Sequence, residues 1–162
     1  MIAELQQAVA NYAHALDELN VPELETVLTE DTTWTFTMPG QGLLGPVVGR
    51  AAVLDFIRDG HTAQTGKVRH HLSNVVVTTT DATTAEARAY LLQTRNTGER
   101  IQTISTGVYT FSLRRSDGEW RIAQLTLALD NAVEDEASSL LRLIFAVWLG
   151  RGGVVSRVRR RW

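Results

Sequence analysis

Residues 67–129 constrain the fold most, because they hold four long strand-like segments with almost nothing between them. The segments run over about 67–79, 83–95, 101–114 and 119–129. Asp81-Ala82, Asn96-Thr97-Gly98 and Ser116-Asp117-Gly118 separate them, and all three are turn chemistry. Strands of five or six residues are usual, so these are long. Long twisted strands curve. A curved antiparallel sheet with helices on its concave side encloses a pocket.

The first 66 residues supply the helices. Ile2, Leu5, Val9, Tyr12 and Leu16 form one stripe at helical spacing, which predicts a helix over 2–18. Asn20 reads as the N-cap of a second, short helix over 21–28, with Pro22 in its first turn and Glu23 three residues on. Residues 32–38 alternate, with Trp34 and Phe36 on one face and threonines on the other, as in a strand. Residues 39–49 hold four glycines and two prolines and read as a loop. A third helix is predicted over 50–61, with Val53, Leu54, Phe56 and Ile57 buried, and a last one over 133–149. The order α-α-β-α-β-β-β-β-α argues for an α+β fold rather than repeated βαβ units.

At 162 residues the chain is one domain by length. We divide it into a main domain over 1–132, a C-terminal helix over 133–150 and a basic tail over 151–162. Net charge is −2, but five arginines and no acid lie in 151–162, so the rest carries −7. An acidic body argues against a nucleic-acid partner. The plainer reading of the C-terminal helix is a cover over the pocket mouth or a dimer seam. Contact of the tail with an anionic membrane surface is the sharper one. The apolar run 140–149 is half the length of a membrane span. No cysteine is present, which excludes disulfides and thiolate metal sites and fits a reducing cytoplasm. The N-terminus lacks the basic and apolar regions of a signal peptide, and we expect a cytoplasmic protein.

His70 and His71 are adjacent on a strand, so their imidazoles point to opposite faces. Val68, His70, Leu72, Asn74 and Val76 form the more apolar set, which makes His70 the inward candidate unless a bulge inverts the register. A titratable group on an apolar wall is how a small cavity gains acid–base chemistry. A satisfied structural histidine is the competing reading. His71 is expected at the surface or a dimer face. His14 lies opposite the stripe of the first helix and should face solvent. His61 ends the third helix and reads as a cap or dipole partner. Asp17 sits at the edge of the first helix's stripe, near its end, where it can bond to backbone or reach a pocket. Tyr109 alternates with Gly107, Phe111 and Leu113 on an apolar face. Tyr12, Trp34, Phe36 and Tyr90 are candidates for the pocket wall or for plain core. Two diverging histidines and no i, i+4 histidine pair argue against a metal site. Gly40-Gln41-Gly42 lacks the lysine of a phosphate loop.

Several local motifs, in this order, resemble the nuclear transport factor 2-like superfamily, and within it the SnoaL-like group with scytalone dehydratase. They are Tyr12-Ala13-His14-Ala15-Leu16-Asp17, Leu28-Thr29-Glu30-Asp31-Thr32-Thr33-Trp34, Val48-Gly49-Arg50, Arg69-His70-His71-Leu72-Ser73-Asn74, Gly107-Val108-Tyr109 and Asp117-Gly118-Glu119-Trp120-Arg121-Ile122. The resemblance implies a cone-shaped, cystatin-like α+β fold, with N-terminal helices on the concave face of the sheet and an apolar pocket. It implies a pocket histidine at His70, an orienting aspartate at Asp17, a pocket asparagine at Asn74 and a pocket residue at Tyr109. The chain departs from the family's known sites. The two tyrosines of scytalone dehydratase correspond to Leu16 and Phe36. No acid lies between Thr32 and Arg50 where ketosteroid isomerase-like members keep their base. The late-strand arginine of the dehydrochlorinase-like members falls near Leu125, and no Arg/Asp pair of the epoxide hydrolase kind is evident.

The expected function is therefore cofactor-independent acid–base chemistry, a dehydration, isomerisation or cyclisation, on a hydrophobic small molecule. His70 would be the general acid or base, Asp17 its orienting partner, and Tyr109 or Asn74 the holder of a substrate oxygen. A non-catalytic binding or scaffold module of the same fold is the alternative. A homodimer through the outer sheet face is expected.

Overall fold

The structure is a computed structural model that describes residues 1–131. The predicted C-terminal helix and the basic tail lie outside the described residues. Helix α1 (Ile2–Glu18) buries Leu5, Ala8, Val9, Tyr12 and Ala15 along its stripe. It stops at Leu19, which takes a left-handed conformation (φ 50°) and lets the next amide close back on Ala15. Asn20 then caps α2 (Val21–Val27): its Oδ1 accepts from the Glu23 amide, and its Nδ2 donates to the Glu23 carboxylate at 2.9 Å.

Six strands follow around a third helix: β1 (Leu28–Met38), β2 (Gly42–Val48), α3 (Arg50–Thr62), β3 (Lys67–Thr80), β4 (Thr84–Asn96), β5 (Ile101–Ser116) and β6 (Glu119–Leu129). They form one sheet in the order β2-β1-β6-β5-β4-β3. Arg50 ties α3 to the end of α2 by donating to the carbonyls of Glu25 (3.0 Å) and Leu28 (3.3 Å). Helix α1 packs on β3 and β6, and α3 packs on β1 and β2. Among the described residues no helix is long and apolar enough to cross a membrane.

Two features correct the sequence expectation. The segment read as a loop over 39–49 contains β2, an edge strand paired with β1. Its glycines and prolines hid it, yet Pro46 is compatible with an edge strand, where an amide donor can be spared. The sheet is also mixed rather than wholly antiparallel, because β6 returns beside β1 and runs parallel to it.

The inward face follows strand alternation. On β4 it starts with the small side chains of Ala85, Ala87 and Ala89, which pair with Leu113, Phe111 and Tyr109 on β5. Small beside large leaves space for Tyr12 of α1. Its ring meets Tyr109 and Phe111 edge-on at 6.2 Å, while those two stack on each other at 5.4 Å. On β3 the alternation breaks at a bulge between Ser73 and Val76, where Asn74 has φ 53°. Val68, His70 and Leu72 face inward before it, and Val75 and Val77 after it.

The β3–β4 turn is organised by Asp81. Its carboxylate accepts from the amides of Thr83 and Thr84, both at 2.7 Å, and from the Thr84 hydroxyl at 2.7 Å. These donors, led by the Thr83 amide, hold its pKa well below the ordinary aspartate range. A depressed folded-state pKa means that the stabilisation is complete above about pH 4, the unfolded value, and fades as pH falls through the folded one. Asp81→Ala should therefore melt below wild type at pH 7, with a gap that narrows below pH 4. A gap unchanged from pH 7 to pH 3 would show that the charge contributes nothing.

Candidate active site

Pairing of β3 with β4 places His70 directly opposite Gln93, with both side chains on the inward face. The last turn of α1 brings Asp17 onto the same spot. Glu18 beside it ion-pairs with Lys67 (2.9 Å) and Arg69 (2.7 Å) of β3, which helps to seat the helix end, although exposed pairs of this kind contribute little energy. Asp17 then does two jobs with one carboxylate. Both oxygens accept from the His70 backbone amide (3.2 and 3.0 Å), and Oδ1 lies 2.6 Å from His70 Nδ1. Asp17 thus contacts both the backbone and the ring of His70. The two side chains are only 11% and 9% exposed.

The contacts of the two ring nitrogens fit one tautomer. A carboxylate can only accept, so Nδ1 carries the hydrogen. The Gln93 amide nitrogen lies 3.0 Å from Nε2, and since an amide N–H can only donate, this orientation of Gln93 fits a lone pair on Nε2.

His70 and Gln93 form part of the wall of a cavity of about 140 Å³ between helices and sheet. Trp34, Phe36, Phe56 and Tyr109 give it an aromatic lining, with Trp34 and Phe56 in edge contact at 4.4 Å. Leu16, Val68, Leu127 and Leu129 add aliphatic surface. Half-buried Gly60, His61 and Gln64, at and just beyond the end of α3, complete the rim. Behind the dyad, His14, Glu18, Arg69 and His71 line a separate crevice that reaches the outer side of Asp17. His14 is exposed there, and His71 bonds the Thr94 hydroxyl at 3.0 Å.

Three expected pocket residues lie elsewhere. Asn74 sits in the bulge and is exposed, because the register inverts just before it could face inward. Tyr90 is 59% exposed on the outer face with Leu92 and Val76, the face expected to carry a dimer. Tyr12 is buried behind Tyr109 rather than in the wall. Burial is the main reason that both phenols are held well above the ordinary tyrosine pKa. The Asp17 charge raises both as well, and the bond from Tyr12 partly offsets the rise at Tyr109. Both are neutral hydroxyls at any physiological pH. Among the described residues no group of three His, Asp or Glu side chains is placed to hold a metal ion.

A family model of the SnoaL-like domain matches residues 1–126. The chain belongs to the SnoaL-like family. Solved structures share the fold. A function-unknown protein from Mycobacterium tuberculosis is 20% identical with a TM-score of 0.78, covering 97% of this chain and 93% of its own. A nuclear transport factor 2-like protein with a cystatin-like fold from Novosphingobium aromaticivorans is 22% identical with a TM-score of 0.65, over 86% of this chain and 87% of its own. A provisionally named scytalone dehydratase from the same organism is also 22% identical, with a TM-score of 0.65 over 79% and 83%. At these identities the likeness shows the fold. No curated protein matches the sequence.

Sequence reasoning missed Gln93, Arg95 and Gln64 in this SnoaL-like cavity, and it placed His61 only as a helix end. The signal for two of them was present. The inward positions of β4 read Ala85, Ala87, Ala89, Leu91, then Gln93 and Arg95, so polarity appears on the buried face where the strand reaches the cavity.

Asp17→Asn should cost about 1–3 kcal/mol in urea unfolding, as for hydrogen bonds to a buried charge. Combined with His70→Ala, its cost should be markedly non-additive. Strict additivity would mean that the two side chains do not act as a unit.

Proposed function

We propose that this SnoaL-like protein is an enzyme that moves a proton on a hydrophobic small molecule, in a dehydration, isomerisation or cyclisation. The observation that carries this reading is the Asp17–His70 pair with its Nε2 lone pair at the wall of an aromatic cavity. Nε2 accepts a proton from a substrate C–H made acidic by a neighbouring oxygen function. The imidazolium that forms is stabilised by Asp17. The same Nε2–H then delivers the proton to a leaving hydroxyl or to another carbon, which returns the ring to its starting state. Such transfer typically contributes about 10²–10⁴-fold in rate.

Gln93 fits both halves of this cycle. Its amide N–H serves the neutral ring, and a half-turn of the amide presents Oε1 to the imidazolium Nε2–H. It also stands where a substrate must displace it from Nε2, which frees its N–H for a substrate oxygen. That is the role expected of Asn74, taken here by a residue on the neighbouring strand. Tyr109 supplies a second neutral hydroxyl in the wall.

A thermal-shift screen of hydrophobic metabolites identifies ligands, because binding stabilises the form that binds. With a ligand that is turned over, His70→Ala should lose about 10²–10⁴ in kcat while keeping the wild-type circular dichroism. A folded His70→Ala variant with wild-type turnover would end this reading. Ligands that bind without any exchange of their carbon-bound protons would make the protein a binding module instead.

A further inference from the structure

One wall residue of the cavity has no side chain. Gly60 lies inside the last turn of α3, although glycine is the weakest helix former after proline. The usual reasons for a glycine are absent. Its φ is not positive, and a Cβ built there would meet no atom within 4 Å among the described residues. Neither backbone conformation nor close packing therefore calls for it. Helix termination does not call for it either, since Ala63 caps α3 in a right-handed conformation. What Gly60 does is line the cavity. Phe56, one helical turn before it on the same face, lines the cavity too.

The cavity is open to solvent on one side. Its lining includes Val68 near the start of β3, Ile104 near the start of β5 and Leu129 at the end of β6, so the wall runs out to one end of the sheet. Helix α3 ends at Thr62 and β3 begins at Lys67, which holds Gly60 at that same end. His70 lies two residues further along β3 than Val68, about 7 Å deeper. From the missing side chain and the open end we propose that the site takes an elongated amphipathic molecule. Its polar, reacting end meets His70 and Gln93, and its apolar tail leaves over Gly60, past Ile104 and Leu129. This rests on the cavity of the acid–base reading being the ligand site. Gly60 then sets how long a substrate can be without touching the reacting atoms, because any large side chain at position 60 would fill the passage.

Calorimetric titration with 4-ethylphenol and 4-hexylphenol tests this on wild type, Gly60→Leu and Asp59→Leu. Asp59 is exposed and off the cavity wall, so its variant adds the same bulk outside the passage. Each buried methylene is worth about fourfold in affinity, so wild type should bind 4-hexylphenol at least about tenfold more tightly than 4-ethylphenol. Gly60→Leu should weaken 4-hexylphenol by at least about tenfold and 4-ethylphenol by less than about threefold. Asp59→Leu should leave both unchanged. Gly60→Ala should melt no lower than wild type, since its methyl meets open space in a better helix former. No saturable binding of 4-hexylphenol by wild type, equal affinity for the two phenols, or an unchanged preference in Gly60→Leu would overturn the proposal. So would an equal loss of both phenols in Gly60→Leu, or a loss as large in Asp59→Leu. A Gly60→Ala variant that melts clearly below wild type would also overturn it, because the fold itself would then need the glycine. If Gly60→Leu fails to fold, Gly60→Met takes its place under the same criteria. Failure of the chain-length comparison would leave the His70 turnover test untouched. Wild-type turnover in His70→Ala would do the reverse.

Discussion

Everything at the site depends on the short contact between the end of α1 and the start of β3, where one carboxylate holds a backbone amide and an imidazole together. A buried carboxylate is costly unless its lone pairs are satisfied. Here the satisfying donors belong to the residue whose orientation matters. The fold therefore stabilises the aspartate and aims the histidine with the same bonds. Loss of that contact would release the helix end, free the ring to turn and leave a charge under-bonded in a nearly dry place.

The surroundings give the contact its chemical value. Aromatic and aliphatic side chains make most of the wall, so the few polar groups there act with little competition from water. Three of those groups come from two neighbouring strands, His70 from β3 and Gln93 and Arg95 from β4. Strand pairing fixes their spacing far better than loops would, which suits a site that must hold a reacting atom within a few tenths of an ångström. The packing of Tyr12 against Tyr109 and Phe111 supports this frame from behind.

The long strands and first two helices were legible because periodicity and turn residues speak directly to backbone geometry. Alternation also placed His70, Trp34 and Phe36 on the inner face. It failed where the backbone breaks its own period. The bulge at Asn74 reverses the face of β3, and nothing in Ser73-Asn74-Val75 announces an extra residue except an asparagine able to take positive φ. The edge strand β2 was hidden because glycine and proline mark turns far more often than strands. Gln93 and Arg95 were legible in principle, as polar residues on a buried parity. The meaning of Gln93 appears only when the sheet sets it beside His70, a contact between residues 23 positions apart.

The central claim is that Asp17 holds His70 as the Nδ1–H tautomer, with an unprotonated Nε2 that meets Gln93 at the cavity wall. Two-bond ¹H–¹⁵N correlation spectra of the histidine side chains, recorded where the ring is neutral, read this directly. A pyrrole-type Nδ1 and a pyridine-type Nε2 for His70 are the expected result. An Nε2–H tautomer, or the averaged pattern of a freely exchanging imidazole, would contradict it.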